Sequence, residues 1–292
     1  GLSLYLMAAI GLKGGVEVSA AGFSVEIVLA GLAGIALSFL LPIPTFFLLR
    51  RIGRLDRVNA GAVAAHYGSV SVVTFVTGVE VLTAGGLPPA GYMVAVLALM
   101  ETPAIVMGLV LARRGAPASE VVGLDAPGHG RGELLRETLL NGSVVLLMGS
   151  FLIGVIIGRD GFLPIAPVFD AGFRGILCLF LLDLGLVAVR RLREARSLTL
   201  PLVALAIIVP VINGTIGVCV ASLVGLDTGS GAALGILAAS ASYIAVPAAM
   251  RLALPQADPG LYLAMSLAVT FPFNIVAGIP LYTLLAQWIV SP

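Results

Sequence analysis

Apolar residues run along this chain in blocks of about twenty, separated by short polar clusters that concentrate arginine, glycine and proline. A block of that length suits a helix crossing a bilayer core of roughly 30 Å at 1.5 Å per residue. The pattern predicts spanning segments over 1–13, 25–49, 58–84, 91–112, 136–158, 166–189, 199–224, 231–253 and 261–289. One connection is long: 113–134, RRGAPASEVVGLDAPGHGRGEL, whose polar, Gly- and Pro-rich composition suits a linker between two halves. Two spans are interrupted. AAHYGSVSVVTF (64–75) and ASASYIAVP (239–247) place His, Tyr, Gly and Ser where a membrane helix usually carries Leu and Val. Gly68 and the serines lower the cost of leaving helical geometry. Pro247 lacks an N–H and suits the first turn of a restarted helix. Both stretches read as broken helices, interrupted near the middle of the bilayer.

The order of the pieces recurs. AAIGL (8–12) resembles LDLGL (182–186), and AAHYGSVS (64–71) falls on AASASYIA (238–245). The spans 25–49 and 199–224 match, and ETPAIVMG (101–108) aligns with TFPFNIVAG (270–278) after one insertion. The second copy has five spans starting at 136–158 and the first shows four, so the partner of 136–158 is expected before residue 1. An odd number of spans per copy turns the second copy upside down in the bilayer. The expectation is an all-α polytopic membrane protein, a five-plus-five inverted repeat with two broken helices crossing at the midplane. Its first helix is expected to be absent here, leaving nine spans. The units are a first repeat over 1–112, a linker over 113–134 and a second repeat over 135–292. Such repeats are typical of secondary transporters, with sites where the copies meet.

Composition agrees: 59% of residues are hydrophobic, 11% are charged and the mean hydropathy is +1.12. A soluble domain of that composition would expose large apolar patches. Sixteen basic residues against fifteen acidic ones, with no basic stripe, give no footprint for nucleic acid. Alternating the loops across the membrane places thirteen arginines on one face (50, 51, 54, 57, 113, 114, 131, 136, 190, 191, 193, 196 and 251). Lys13, Arg159 and Arg174 are on the other. The arginine-rich face is read as cytoplasmic. The linker then lies inside a multi-pass protein of the cell (inner) membrane, and the C-terminus lies outside. Cys178 and Cys219 read as small buried hydrophobes with no disulfide or metal spacing, and no cofactor is implied. GHGRG in the linker only weakly resembles a phosphate-binding turn, since no strand precedes it.

The breaks carry the chemistry. The first N–H groups of each restarted half-helix have no internal partner, and both positive dipole ends point into one small volume. A small anion satisfies them. Ser69, Ser71, Ser240 and Ser242 add hydroxyls that donate to an anion or accept a cation. The competing reading is a kinked pair of helices packed through small residues. Glu101, with Thr102 and Pro103 beside it, is a carboxylate deep in its span and the strongest candidate for holding a cation or a proton. The counterpart stretch offers Thr270 and Asn274. Asp183 reads as paired with the basic face near Arg190, and Glu80 as solvated at the outer end of its helix. His66 borders the break, in a hydrogen-bonded packing role or as a proton carrier. Asn213, after Pro210, reads as satisfying a kinked backbone.

YGSVSVVTF (67–75), ASASYIAVPAAMR (239–251), TFPFNIVAGIPLY (270–282) and AIGLKGG (9–15) together resemble the sodium-dependent bicarbonate transporter (SbtA-like) family, in a non-cyanobacterial form. The resemblance covers the whole chain apart from a first helix. It implies trimers of ten-span inverted repeats, with a mobile core moving past a fixed scaffold. It implies bicarbonate, or another small anion, held between the broken helices by Gly68, Ser69, Val70, Ser71, Ala241, Ser242 and Tyr243. Sodium as coupling ion is expected at Glu101, Thr102, Ser240 and Asn274. A PII-like regulator binds relatives at the cytoplasmic face, where the linker here is shorter. Cyanobacterial members carry SSSD where this chain has SASY, so Tyr243 replaces a carboxylate. Alternatives are a cation/proton exchanger using Glu101, and a channel or non-transporting structural subunit. An intramembrane hydrolase is excluded because His66 and Ser69 sit side by side with no oxyanion motif.

Overall fold

The computed structural model describes residues 2–22, 24–113, 142–194 and 198–290. The 113–134 linker, apart from Arg113, and the start of the 136–158 span lie outside the described residues. Among the described residues the regular structure is helical throughout. α1 (Leu2–Ala21) runs well past the expected end at residue 13, carrying Lys13 and Glu17 within the helix. α2 (Val25–Leu40) and α3 (Pro42–Arg51) form one span divided at Leu41, with Pro42 at the first helical position, where a missing N–H costs nothing. α4 (Arg57–Gly68) and α5 (Val72–Ala84) form the next, and α6 (Met93–Glu101) and α7 (Pro103–Arg113) the third. α8 (Gly142–Phe162) and α9 (Phe173–Glu194) follow, then α10 (Leu200–Leu223) with Pro210 inside it. The half-helices α11 (Thr228–Ala239) and α12 (Ala245–Ala253) lead to α13 (Pro259–Ile289), which passes through wide π-helical turns around Pro272.

Burial sorts these helices into an interior and a periphery. In the apolar window of the α4–α5 segment 94% of residues are buried, whereas the windows of α8 and of the segment holding α9 are 22% and 28% buried. Lipid tails are as apolar as leucine, so burial here follows from close packing and not from escape from water. The interior helices accordingly meet through small residues. Gly61, Ala65 and Gly68 of α4 face Ala112, Gly108 and Ala104 of α7. A Cβ on Gly61 would stand 2.8 Å from the Gly108 carbonyl oxygen, and one on Gly108 would stand 2.8 Å from that of Gly61. Gly217 of α10 meets Ala238 of α11 in the same way, and outside the interior Gly11 and Gly15 of α1 make a similar seam with Leu147, Ser150 and Phe151 of α8. At the periphery Ile156, Leu200, Leu223 and Trp288 stand more than four-fifths exposed, as lipid-facing side chains do. Cys178 and Cys219 also lie on exposed faces, contrary to the buried positions expected of them. Asp183 is exposed as well and forms no ion pair with Arg190 among the described residues.

The two broken spans share a layout. Each begins with an aspartate N-cap: Asp56 accepts from the Asn59 N–H and Asp227 from the Ser230 N–H, both at 2.9 Å. Partial burial pushes the Asp56 carboxyl upward, but its hydrogen bonds from Asn59 and Val58 outweigh this and hold it below the usual carboxylate range. Each then runs for 12 residues to a serine C-cap, Ser69 or Ser240. Ser69 therefore matches Ser240, and Ser71 matches Ser242. Laying 64–71 on 238–245 had put Ser69 against Tyr243, because apolar helices align at more than one register.

Candidate functional site

The two breaks cross and are tied by hydrogen bonds. α4 ends at Gly68, extended backbone carries the chain through Ser69 and Ser71, and α5 starts at Val72. α11 ends at Ala239, and α12 restarts at Ala245. The Ser71 N–H donates to Ser240 Oγ at 2.9 Å, and Ser240 Oγ donates to the Leu237 carbonyl at 2.8 Å. In return, the Ser242 N–H donates to the His66 carbonyl at 2.9 Å. Ser71 Oγ caps α5 by accepting from the Thr74 N–H at 3.2 Å and donates to the Tyr243 hydroxyl at 3.1 Å. Some of the backbone groups freed by the breaks are thus satisfied across the crossing, the Ser71 N–H by a serine and the Ser242 N–H by a carbonyl, as a low-dielectric interior favours.

Gly68 is placed by packing. A Cβ there would stand 2.3 Å from Pro42 Cγ and 3.0 Å from the Ala104 Cβ. Its own backbone still belongs to α4, so its missing side chain serves close approach and not the departure from the helix that the sequence suggested.

A third interruption lies beside the crossing, at Glu101–Thr102–Pro103. Pro103 has no N–H to return to the preceding turn. Ser38 of α2 then enters the helix ladder: its hydroxyl donates to the Met100 carbonyl at 2.6 Å and accepts from the Ala104 N–H at 3.1 Å. The Glu101 carbonyl receives Ser69 Oγ at 3.2 Å, while the Ile105 N–H turns to the Thr102 carbonyl at 3.1 Å. Three successive rungs are opened, one by a proline and two by serines from other helices.

Met7, Val70, Ser71, Val72, Glu101, Ser242, Tyr243 and Ile244 line one small cleft of about 230 Å³, its open mouth included. Glu101 is 5% exposed, and among the described residues no donor or cation pairs with its carboxylate. Of the expected site residues, Val70, Ser71, Ser242, Tyr243 and Glu101 come together on this cleft. Ser69, Ser240 and Ala241 lie in the non-helical backbone of the breaks without lining the cleft, and Gly68 ends α4. Thr102 sits in the Glu101 interruption, half-buried, without lining the cleft. Asn274 lies apart from the cleft lining: its amide donates to the Ala239 carbonyl at 2.9 Å and its oxygen accepts from Tyr282 at 3.3 Å, so it closes the end of α11. Thr270 joins Tyr67 at 2.7 Å and the Ala206 carbonyl at 2.6 Å. Among the described residues no three His, Cys, Asp or Glu side chains gather as a metal cluster. The oxygen donors present, one carboxylate with hydroxyls and carbonyls, suit a hard cation.

Neighbouring groups depart from the sequence reading in two places, at Glu80 and Asn213, while His66 takes one of the two roles expected of it. Glu80 is 19% exposed and paired with Arg174 of α9 at 2.9 Å, where a solvated carboxylate was expected. Asn213 reaches across to the Tyr67 carbonyl at 3.3 Å, at the end of α4, instead of serving its own helix. His66 is fully buried, donates Nδ1–H to the Ala62 carbonyl at 2.7 Å and stacks on Tyr262 at 4.5 Å, which is a packing role. Ser38 was not anticipated. Its signal was faint: it is the one hydroxyl in α2, VEIVLAGLAGIALSFL.

A family model described as the Na+-dependent bicarbonate transporter superfamily matches residues 1–287. No curated protein matches the chain.

Proposed function

The chain belongs to the Na+-dependent bicarbonate transporter superfamily and is a multi-pass membrane transporter, not an enzyme; from that premise we propose that it is a secondary active symporter of sodium with bicarbonate or another small anion. The observation that carries this reading is the cleft in which Glu101 faces Ser71, Ser242 and Tyr243 at the crossing of two broken helices. A buried carboxylate beside an anion-binding crossing repels an anion unless a cation neutralises it. Sodium bound at Glu101 removes that repulsion and leaves the helix N-termini and hydroxyls to hold the anion. Each ion then raises the affinity for the other by the same factor, which is the coupling a symporter needs.

Alternating access follows if the interior bundle carrying the cleft slides past α1, α8 and α9. The sparse burial of α8 and α9 and the small-residue seams inside the bundle support treating them as separate bodies. The repeat of aspartate cap, 12-residue half-helix and serine break supports two inverted halves, 1–112 and 135–292, joined by the 113–134 linker. A homotrimer embedded in lipid, a cytoplasmic linker, an external C-terminus and a PII-like regulator at the cytoplasmic face complete the reading.

Uptake of labelled bicarbonate into proteoliposomes, with and without an inward sodium gradient, tests the proposal. Sodium-driven uptake is expected, and a Ser71→Ala, Ser242→Ala double variant is expected to lose at least tenfold of it, since each lost hydroxyl is worth about 1 kcal/mol. Uptake indifferent to sodium would overturn the coupling. Proton-driven cation flux that needs no anion would favour the exchanger reading instead.

A further inference from the structure

We propose that Ser38 is a positioning residue of the transport site: its hydroxyl, wedged into the α6–α7 ladder, turns Glu101 toward the cleft. A helix passing straight through residues 100–104 would bond the Ala104 N–H directly to the Met100 carbonyl. Instead, the hydroxyl stands between them, at 2.6 Å from one and 3.1 Å from the other. A side chain inserted into the ladder opens the helix on its own face and bends it. Pro103 loosens the same turn by removing the rung from its own nitrogen to Leu99 and crowding that carbonyl. Ser38 opens the next rung, and Ser69 holds the Glu101 carbonyl after that.

The consequence reaches the cleft. Glu101 is the last residue of α6 and its side-chain direction follows the bend. With the ladder held open, the carboxylate lines the same cleft as Ser71, Ser242 and Tyr243. With the rung closed, the last turn of α6 rewinds and Glu101 rotates with it. Ser38 itself is fully buried, lies on α2 and does not line the cleft, so it acts through Glu101 and not on the ions. It is placed there by Gly34 one turn earlier, where a Cβ would stand 2.7 Å from Val96 and 3.1 Å from Met100. That close approach brings α2 near enough for a side chain as short as serine to reach the α6 backbone.

Stability and positioning separate in this design. In a Ser38→Ala variant the freed Met100 carbonyl and Ala104 N–H bond to one another, so no buried polar group is left unpaired. The variant is therefore expected to fold with its melting temperature little changed while its site is disordered in function. A Ser38→Thr variant keeps the hydroxyl and is expected to restore the bend.

The experiment has two arms on the full chain. In the first, Cys178 and Cys219 are replaced by Ser, Glu101→Cys is introduced, and reaction with a small cationic thiosulfonate is followed with Ser38, Ser38→Ala and Ser38→Thr. Ser38→Ala is expected to slow the reaction at least tenfold, and Ser38→Thr to recover it. Equal rates with Ser38 and Ser38→Ala, or no reaction in either, would overturn the proposal. So would a Ser38→Ala protein whose melting temperature collapses along with its labelling. The second arm rests on the symport reading. With Glu101 intact, Ser38→Ala is expected to raise the half-saturating sodium concentration for uptake about tenfold, with a smaller change in maximal rate. A lower maximal rate with unchanged sodium half-saturation would count against positioning. If the unsubstituted protein shows no sodium-driven uptake, the symport reading fails and the labelling arm alone decides the role of Ser38.

Discussion

Replacing Glu101 with Gln is expected to leave a folded protein whose uptake no longer responds to sodium. The substitution keeps shape and hydrogen-bonding capacity while removing the charge, so the tight packing around the α6–α7 interruption is preserved. The carboxylate is buried and, among the described residues, without a donor or cation, so its charge is available to a ligand. Interactions with a charged group in such a setting are worth about 1.5–3 kcal/mol, or roughly a ten- to hundredfold loss of sodium affinity. Uptake measured across a series of sodium concentrations checks this. A Gln variant with an unaltered sodium curve would remove Glu101 from the coupling site. A variant that gains sodium-independent anion uptake would show that the carboxylate serves to forbid the anion when sodium is absent.

Gly108→Leu is expected to have the larger effect on the fold itself. The Cβ alone would lie 2.5 Å from the Ala65 Cβ and 2.8 Å from the Gly61 carbonyl oxygen, before the rest of the leucine is placed. Backbone cannot yield there without parting α4 from α7. Separation of those two helices would carry the first break away from Glu101, since Ser69 bonds the Glu101 carbonyl across that seam. Overpacking in a tight interior costs typically 1–3 kcal/mol and more when backbone stands in the way. Thermal unfolding in detergent is expected to shift down by several degrees or more, with uptake lost. Gly149→Leu in α8, a position where an added Cβ meets nothing within 4 Å, is the control and is expected to be tolerated.

Much of the interior could be read from the chain because its signals are local. Gly, Ser and His inside an apolar run mark a break whatever surrounds it, and both breaks fall within the stretches 64–75 and 239–247 that carry them. The burial of Glu101 was legible for the same reason, since a lone carboxylate ten residues into an apolar span has no water to reach. Its partner was not. Ser38 is a common kind of residue in a membrane helix and normally bonds the carbonyl one turn back, so nothing local shows that it crosses to α6. Asn274 was assigned to a cation because amide and hydroxyl groups near a break look alike in sequence, whereas the fold uses it to close α11. Glu80 and Arg174 lie 94 residues apart, and no local pattern announces that the fold brings them together. The faces of α9 and α10 were illegible for a further reason. A helix that is apolar all round carries no periodicity to tell a lipid-facing cysteine from a buried one.

That pair on the side away from the arginine clusters also bears on how the carrier would be controlled. It joins α5, which continues the first broken helix, to α9 at the periphery, so any sliding of one past the other parts it. Arg174 is 74% exposed, and an ion pair of that kind holds with about 0–1 kcal/mol. A contact so weak is a detent and not a lock: thermal motion releases it, yet it tilts the resting population by a few-fold. Its strength falls as ionic strength rises. Ionic strength at that face would then shift the resting bias of the carrier by a few-fold, independently of sodium's part in the cycle. Choline chloride, which supplies ionic strength without sodium, would expose that dependence.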